Sequence, residues 1–233
     1  MSPSTPGRRP VPTRRPRNSL TAEGILDAAE RVAAGGLDGL TVRAVAAELE
    51  AAPMSLYRYF ATKDALVDAL LDRVLGRFDP GPATDDWRAD LASFARAHAQ
   101  LLADHPWAVA VLFSHPAPGL NAVGIGEQAL AILQRGGIEG ADAVATFSAL
   151  LAFSYGWQAF ATAQDPSAPP TSQAPDIAPL LAALPVERFP LTVAVAQPMA
   201  AYAGPENFER ALALVLGGVV AAAPPGRAPR GRR

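Results

Sequence analysis

The sequence predicts an all-α chain of two helical domains, on three observations. Apolar residues recur at helical spacing through almost every segment from Leu20 to Ala223. Between those segments stand helix caps and breakers, Thr41, Thr62 and Asp86 at starts and Gly35-Gly36 and Gly136-Gly137 at ends. One run, Ala143–Gln164, is 22 residues long without a charge, and its interleaved Thr, Ser and Gln side chains suit the buried centre of a helical protein better than a lipid span. At 233 residues, half of them apolar, the chain is long enough for one or two cores. It has no cysteine, which excludes disulfide scaffolds, thiolate metal sites and cysteine nucleophiles.

Residues 1–19 hold Arg8, Arg9, Arg14, Arg15 and Arg17, no acid, and prolines at 3, 6, 10, 12 and 16, and are expected to form a flexible basic arm. No apolar stretch follows the early arginines, so the start does not read as a secretory signal, and a cytoplasmic location is expected. The first helix is expected over 20–34, with Ile25, Ala29 and Val32 on one stripe and Gly35-Gly36 as its stop. Thr41 caps a short second helix carrying Val42, Val45, Ala46 and Leu49 at i, i+3, i+4 and i+7. After Glu50-Ala51-Ala52-Pro53 a third helix is expected over Met54–Phe60, with Leu56 and Phe60 inward. Thr62 caps a fourth, Lys63–Phe78, closed by Pro80-Gly81-Pro82.

Three short helices with a tight second-to-third connection make a helix-turn-helix, domain 20–66, with a linker helix running on to 79. In such a unit the second helix buttresses the third, whose exposed residues reach bases and phosphates in the major groove. The exposed set here is Met54, Ser55, Tyr57, Arg58 and Tyr59, which contains no acid, although Glu48 and Glu50 precede it.

These residues resemble the DNA-binding domain of the tetracycline-repressor (TetR) family of transcriptional regulators. The resemblance rests on Ile25-Leu26-Asp27-Ala28-Ala29, Gly36–Arg43, Val45–Leu49, Met54–Phe60 and Thr62–Leu66. It implies a repressor that a small molecule releases from a near-palindromic double-stranded operator, with Thr41, Arg43, Met54, Ser55, Tyr57, Arg58, Tyr59 and Lys63 at the DNA. Arg43, Tyr57 and Lys63 are expected on phosphates and Arg58 on guanine. Glu50 departs from the family, which usually has glycine there, and a positive φ is expected at it.

The second domain is expected over 84–223. Its helices are read at Trp87–Asp104, from Pro106 through Phe113, Asn121–Arg135, about Asp142–Gln164 and Glu206–Ala223. Loops are expected over 114–119 and 165–175, and an interrupted helical stretch over 176–203, broken at Pro185, Pro190 and Pro198. His105-Pro106-Trp107, Gly119-Leu120-Asn121 and Phe208…Leu212…Leu216…Gly218 resemble the helical effector domain of one subgroup of the same family. Residues 224–233 form a basic tail with Arg227, Arg230, Arg232 and Arg233. All 22 acids therefore lie within 20–223, against 11 of the 20 basic residues, so an acidic body carries basic ends. The ends either touch a polyanion or serve as solubilising tails.

Along the charge-free helix a stripe of small residues, Ala145, Ala149, Ala152, Gly156 and Ala159, runs beside Phe153, Trp157 and Phe160. Both stripes fill a core, or they divide the work between a second subunit and a ligand. The resemblance implies a homodimer paired through the last two long helices, so the small stripe and Phe208, Leu212, Val215 and Val219 are its candidate interface. Candidate pocket residues are His98, His105, Trp107, Phe113, Asn121, Phe153, Trp157 and Gln158. His98, His105 and His115 lack metal-ligand spacing, so neither metal nor cofactor is expected. An all-helical enzyme would need a nucleophile, base or metal constellation, and none is present. The alternative reading is a helical small-molecule-binding or enzyme-like protein without specific DNA binding.

Overall fold

The computed structural model describes residues 20–114, 119–163 and 176–222, and every regular element among them is helical. The expected arm 1–19, tail 224–233 and loop 165–175 lie outside the described residues, as do His115, Gln164 and Ala223. The chain divides into two compact units between Leu66 and Val67.

The first unit contains α1 (Ala22–Ala33), a 3₁₀ turn (Leu37–Gly39), α2 (Val42–Glu48), α3 (Pro53–Leu56) and the first turn of α4 (Lys63–Leu75). Threonine hydroxyls start three of these helices. Thr21 accepts from the Gly24 N–H, Thr41 from Ala44 and Thr62 from Ala65, each at 3.0 Å. Ile25, Ala29, Leu40, Val45, Leu56 and Leu66 make the core. After α2 the Glu50 N–H reaches the Ala47 carbonyl (3.0 Å) and Ala51 reaches Ala46 (2.9 Å). This double bond pattern requires a left-handed residue at Glu50, whose φ is 51°.

The third helix is shorter than the sequence pattern predicts. Pro53, with its preset φ, begins it, and regular α-structure ends at Leu56. The chain then tightens, with the Tyr59 N–H on the Leu56 carbonyl three residues back (2.9 Å) and Phe60 on the same oxygen (3.0 Å). The fourth helix also stops early, at Leu75, ahead of Gly76.

The second unit is built around α5 (Trp87–Asp104), which packs against α7 (Leu120–Arg135), α8 (Gly140–Ala163) and α12 (Pro205–Ala222). A short α6 (Trp107–Ser114) packs on α8. The interrupted stretch holds α9 (Ala178–Ala182), α10 (Pro190–Ala194) and α11 (Ala196–Ala200). Pro190 starts α10 rather than breaking a helix, and Pro198 sits in the first turn of α11; neither position needs an N–H. Phe94, Leu91, Leu102, Leu133, Leu150 and Leu212 are buried at the centre.

One acid of the second unit, Asp90, lies in the interior. Its side chain is buried and accepts from Arg135, from the Thr84 N–H and from the Thr84 hydroxyl (2.7 Å). The Arg135 bond, followed by those from Thr84, holds its carboxyl below the usual aspartate range.

Candidate nucleic-acid interface and ligand cavity

Two different jobs divide the exposed residues around α2 and α3. Thr41 spends its hydroxyl on the α2 cap. Ser55 donates to the Ala52 carbonyl (2.6 Å), and the Tyr59 hydroxyl donates to the Leu20 carbonyl (2.5 Å), tying the recognition segment to the start of α1. Arg43, Arg58 and Lys63 are exposed and form no ion pair or hydrogen bond with another described residue, leaving three cations free for phosphate or base. Met54 (74% exposed) and Tyr57 (44%) stand beside them. Of the nearby acids, Glu48 is neutralised by Arg31 at 2.7 Å, while Glu50 projects from the turn.

The second unit holds an apolar cavity of about 450 Å³. Its walls come from the later turns of α4 (Leu71, Leu75), from α5 (His98), from α7 (Val123, Ile125, Leu130) and from α8 (Phe147, Leu151, Tyr155). At one edge Asn121 clamps α7 onto α4. Its backbone N–H donates to Asp72 Oδ1 (2.9 Å), and its Nδ2 donates to the Asp72 carbonyl (2.9 Å) and Oδ2 (3.0 Å). The clamp requires Gly119, where a Cβ would lie 2.0 Å from Asp72 Oδ1.

Of the residues proposed from sequence for a pocket, His98 lines this cavity. Phe113, 72% exposed, touches the ring of Tyr155 edge-on (5.6 Å). The others lie elsewhere. His105 is held between the Leu101 carbonyl (3.0 Å) and Arg77 Nη1 (3.2 Å), and Trp107 is buried beside it. Phe153 and Trp157 pack on Phe208, each at 5.5 Å between ring centroids, and Trp157 and Gln158 line a separate groove with Arg96 and Glu209. Sequence reasoning missed Phe147, Leu151 and Tyr155. Their spacing of four along α8 was the available signal, obscured because that helix is apolar on every side.

His98 is 2% exposed, with its ring stacked on Phe94 at 6.3 Å and tilted against Tyr155 at 5.6 Å. Burial without a compensating partner pushes its imidazole down to about 4, so it is neutral at pH 7. The same desolvation raises the Tyr155 phenol. Among the described residues no group of three His, Asp or Glu side chains is placed to hold a metal ion.

The small stripe of α8 faces outward. Ala145, Ala149, Ala152 and Ala159 are exposed, with Gly156 partly so, and Val144 (57%) and Phe160 (51%) flank them. On α12 the outward residue is Leu214, 79% exposed, next to Gly217 and Gly218. Leu212 is 1% exposed and belongs to the chain's own core, which removes it from any surface contact. Phe208 is spent on Phe153 and Trp157, and Val215 and Val219 are half-buried. No described helix is long and apolar enough to cross a membrane.

Two family models match the chain. "Bacterial regulatory proteins, tetR family" covers residues 25–70, and "Tetracyclin repressor-like, C-terminal domain" covers 79–223. The HTH-type transcriptional repressor DrrR1 of Streptomyces coeruleorubidus is 41% identical over 136 residues, 57% of this chain and 49% of that protein. An HTH-type transcriptional regulator of Saccharopolyspora erythraea is 35% identical over 144 residues, 61% of each chain. The chain thus spans about half to three fifths of the length of these curated relatives. Among solved structures, ActR of Streptomyces coelicolor in complex with actinorhodin superposes with a TM-score of 0.77 at 25% identity, covering 88% of this chain and 98% of that one.

Proposed function

The chain belongs to the tetR family of bacterial regulatory proteins, and from that premise we propose that it is a ligand-responsive transcriptional repressor. Three unpaired cations around a helix-turn-helix support the DNA half of this reading, and the apolar cavity of the second unit supports the ligand half. The cavity is the observation that carries it, because a protein that only bound DNA would have no need of a drug-sized apolar space. ActR, a TetR family protein of similar architecture, is found in complex with actinorhodin.

In this proposal two copies pair through the outward faces of α8 and α12. Exposed Val144, Phe160 and Leu214 together with a run of alanines form an apolar surface of the kind that marks an interface. A two-fold dimer presents two recognition segments, so the operator is near-palindromic; its half-site distance is about 34–36 Å if the segments enter grooves one turn apart. The effector favours a dimer whose recognition segments no longer match the operator, and only that difference in affinity moves the population. α4 starts among the DNA-proximal residues at Lys63, and its Leu71 and Leu75 line the cavity, making it the element through which the two events couple.

The test is fluorescence anisotropy with the DNA upstream of the protein's own gene against a scrambled fragment, at two salt concentrations. Specific readout keeps the native fragment bound at the higher salt, where phosphate-only binding collapses. Arg58→Ala is expected to weaken native-fragment binding about 10–100-fold, the worth of one bidentate base contact. Equal, salt-labile binding to both fragments, unchanged by Arg58→Ala, refutes the DNA half.

A further inference from the structure

The polar groups of the cavity are distributed unevenly, and their distribution describes a ligand. Among the described residues three carboxylates line it, Asp68, Asp72 and Glu127, and no Lys or Arg does; Asp68 is already engaged by another group, which leaves Asp72 and Glu127. Among the described residues Asp72 accepts hydrogen bonds from Asn121 alone, a neutral donor that does not cancel its charge. Glu127 is exposed and pairs with no described residue. An anionic ligand would face this negative field in a partly desolvated space, where charge interactions are stronger than in water. A cation would be drawn to it.

The second observation is His98. It lies almost wholly buried in the cavity wall, with ring neighbours only and no hydrogen-bond partner among the described residues. Buried polar groups left unpaired are uncommon and costly. A neutral imidazole offers one donor and one acceptor. The remaining wall is aliphatic and aromatic, with Phe147 and Tyr155 presenting ring surfaces.

We propose that the effector of this cavity is a ring-bearing, largely apolar molecule with a protonated amine, the amine held by Asp72 and Glu127 and a carbonyl or hydroxyl on the ring body meeting His98. This rests on the cavity being the effector site of the proposed repressor. The cavity, of about 450 Å³, accommodates a body of two to four fused rings.

The probes are 2-(aminomethyl)anthraquinone, 2-(hydroxymethyl)anthraquinone and anthraquinone-2-carboxylate, matched in ring body and differing in charge. Each is titrated calorimetrically into the full chain at pH 7. The amine is expected to bind about tenfold tighter than the alcohol, with the carboxylate weakest. Glu127→Gln, an exposed position that leaves the fold intact, should remove about threefold or more of the amine's advantage and leave the alcohol unchanged. His98→Phe should weaken all three by a similar factor.

A carboxylate that binds as tightly as the amine, an order untouched by Glu127→Gln and Asp72→Asn, or no binding by any probe overturns the proposal. Gly126→Trp, or the milder Leu151→Phe, fills the cavity and separates the two failures. If binding is lost in the filled variants but follows the wrong charge order, the cavity stands and the charge assignment falls. If the amine binds undiminished to filled, folded variants, the cavity itself is not the effector site.

Discussion

Lowering the pH from 7.5 to 5 should cost the folded chain about 2 kcal/mol through His98 alone. The imidazole titrates near 6.5 in the unfolded chain and at about 4 in the folded one, because burial among Phe78, Phe94 and Tyr155 penalises its charged form. Between those two values the unfolded state binds the extra proton, so stability rises with pH. The contribution is complete above about pH 6.5 and is lost as pH falls toward 4. The full shift corresponds to about 3 kcal/mol, of which about 2 is reached by pH 5. Urea denaturation at both pH values measures it. Carboxylates lowered in the folded chain, Asp90 by Arg135 and Glu209 by Arg96, also lose their contribution as the pH falls into the carboxylate range, so the informative quantity is a double difference against His98→Phe. Phenylalanine keeps the ring contacts and cannot be protonated. Wild type should lose about 2 kcal/mol more than the variant on going to pH 5. Equal losses would show that His98 is solvated or charge-compensated in solution and would refute the desolvation argument.

Two more outcomes follow from the structure. Glu50→Gly places glycine at a φ of 51°, relieving a left-handed strain of roughly 1 kcal/mol that glycine's greater chain entropy partly offsets; thermal and urea midpoints should rise modestly, and nonspecific DNA affinity should rise as an acid leaves the interface. If the chain pairs as proposed, Leu214→Glu, at a position 79% exposed, should leave helicity and the folding of the single chain nearly unchanged and shift sedimentation from dimer to monomer; an unchanged dimer would move the proposed interface away from α12.

Much of the fold was legible because helix formation is written locally. Thr41, Thr62 and Asp86 cap as their side chains require, and α5 runs over the span its apolar spacing marks, Trp87–Asp104. Boundaries slipped where proline or glycine chemistry competed with periodicity. Pro53 starts a helix that tightens after one turn, and Pro190 opens a helix instead of breaking one. Asp90 was invisible as a buried acid because its partner Arg135 lies on another helix, 45 residues away.

The sequence by itself determined the all-helical class, the helix-turn-helix and the cations at its surface, since these depend on neighbours within a few turns of the same chain. Only the tertiary structure decided what each face of α8 does. With apolar residues all around, that helix carries no periodic signal to separate core from surface. Packing against α5, α7 and α12 turns Phe147, Leu151 and Tyr155 to the cavity, turns Phe153 and Trp157 to Phe208, and leaves the alanine stripe facing solvent. The same packing buries His98, without a hydrogen-bond partner among the described residues, in the wall of a cavity whose described lining has acids but no Lys or Arg. A sum of contacts from four helices produces that arrangement, and no local pattern encodes it.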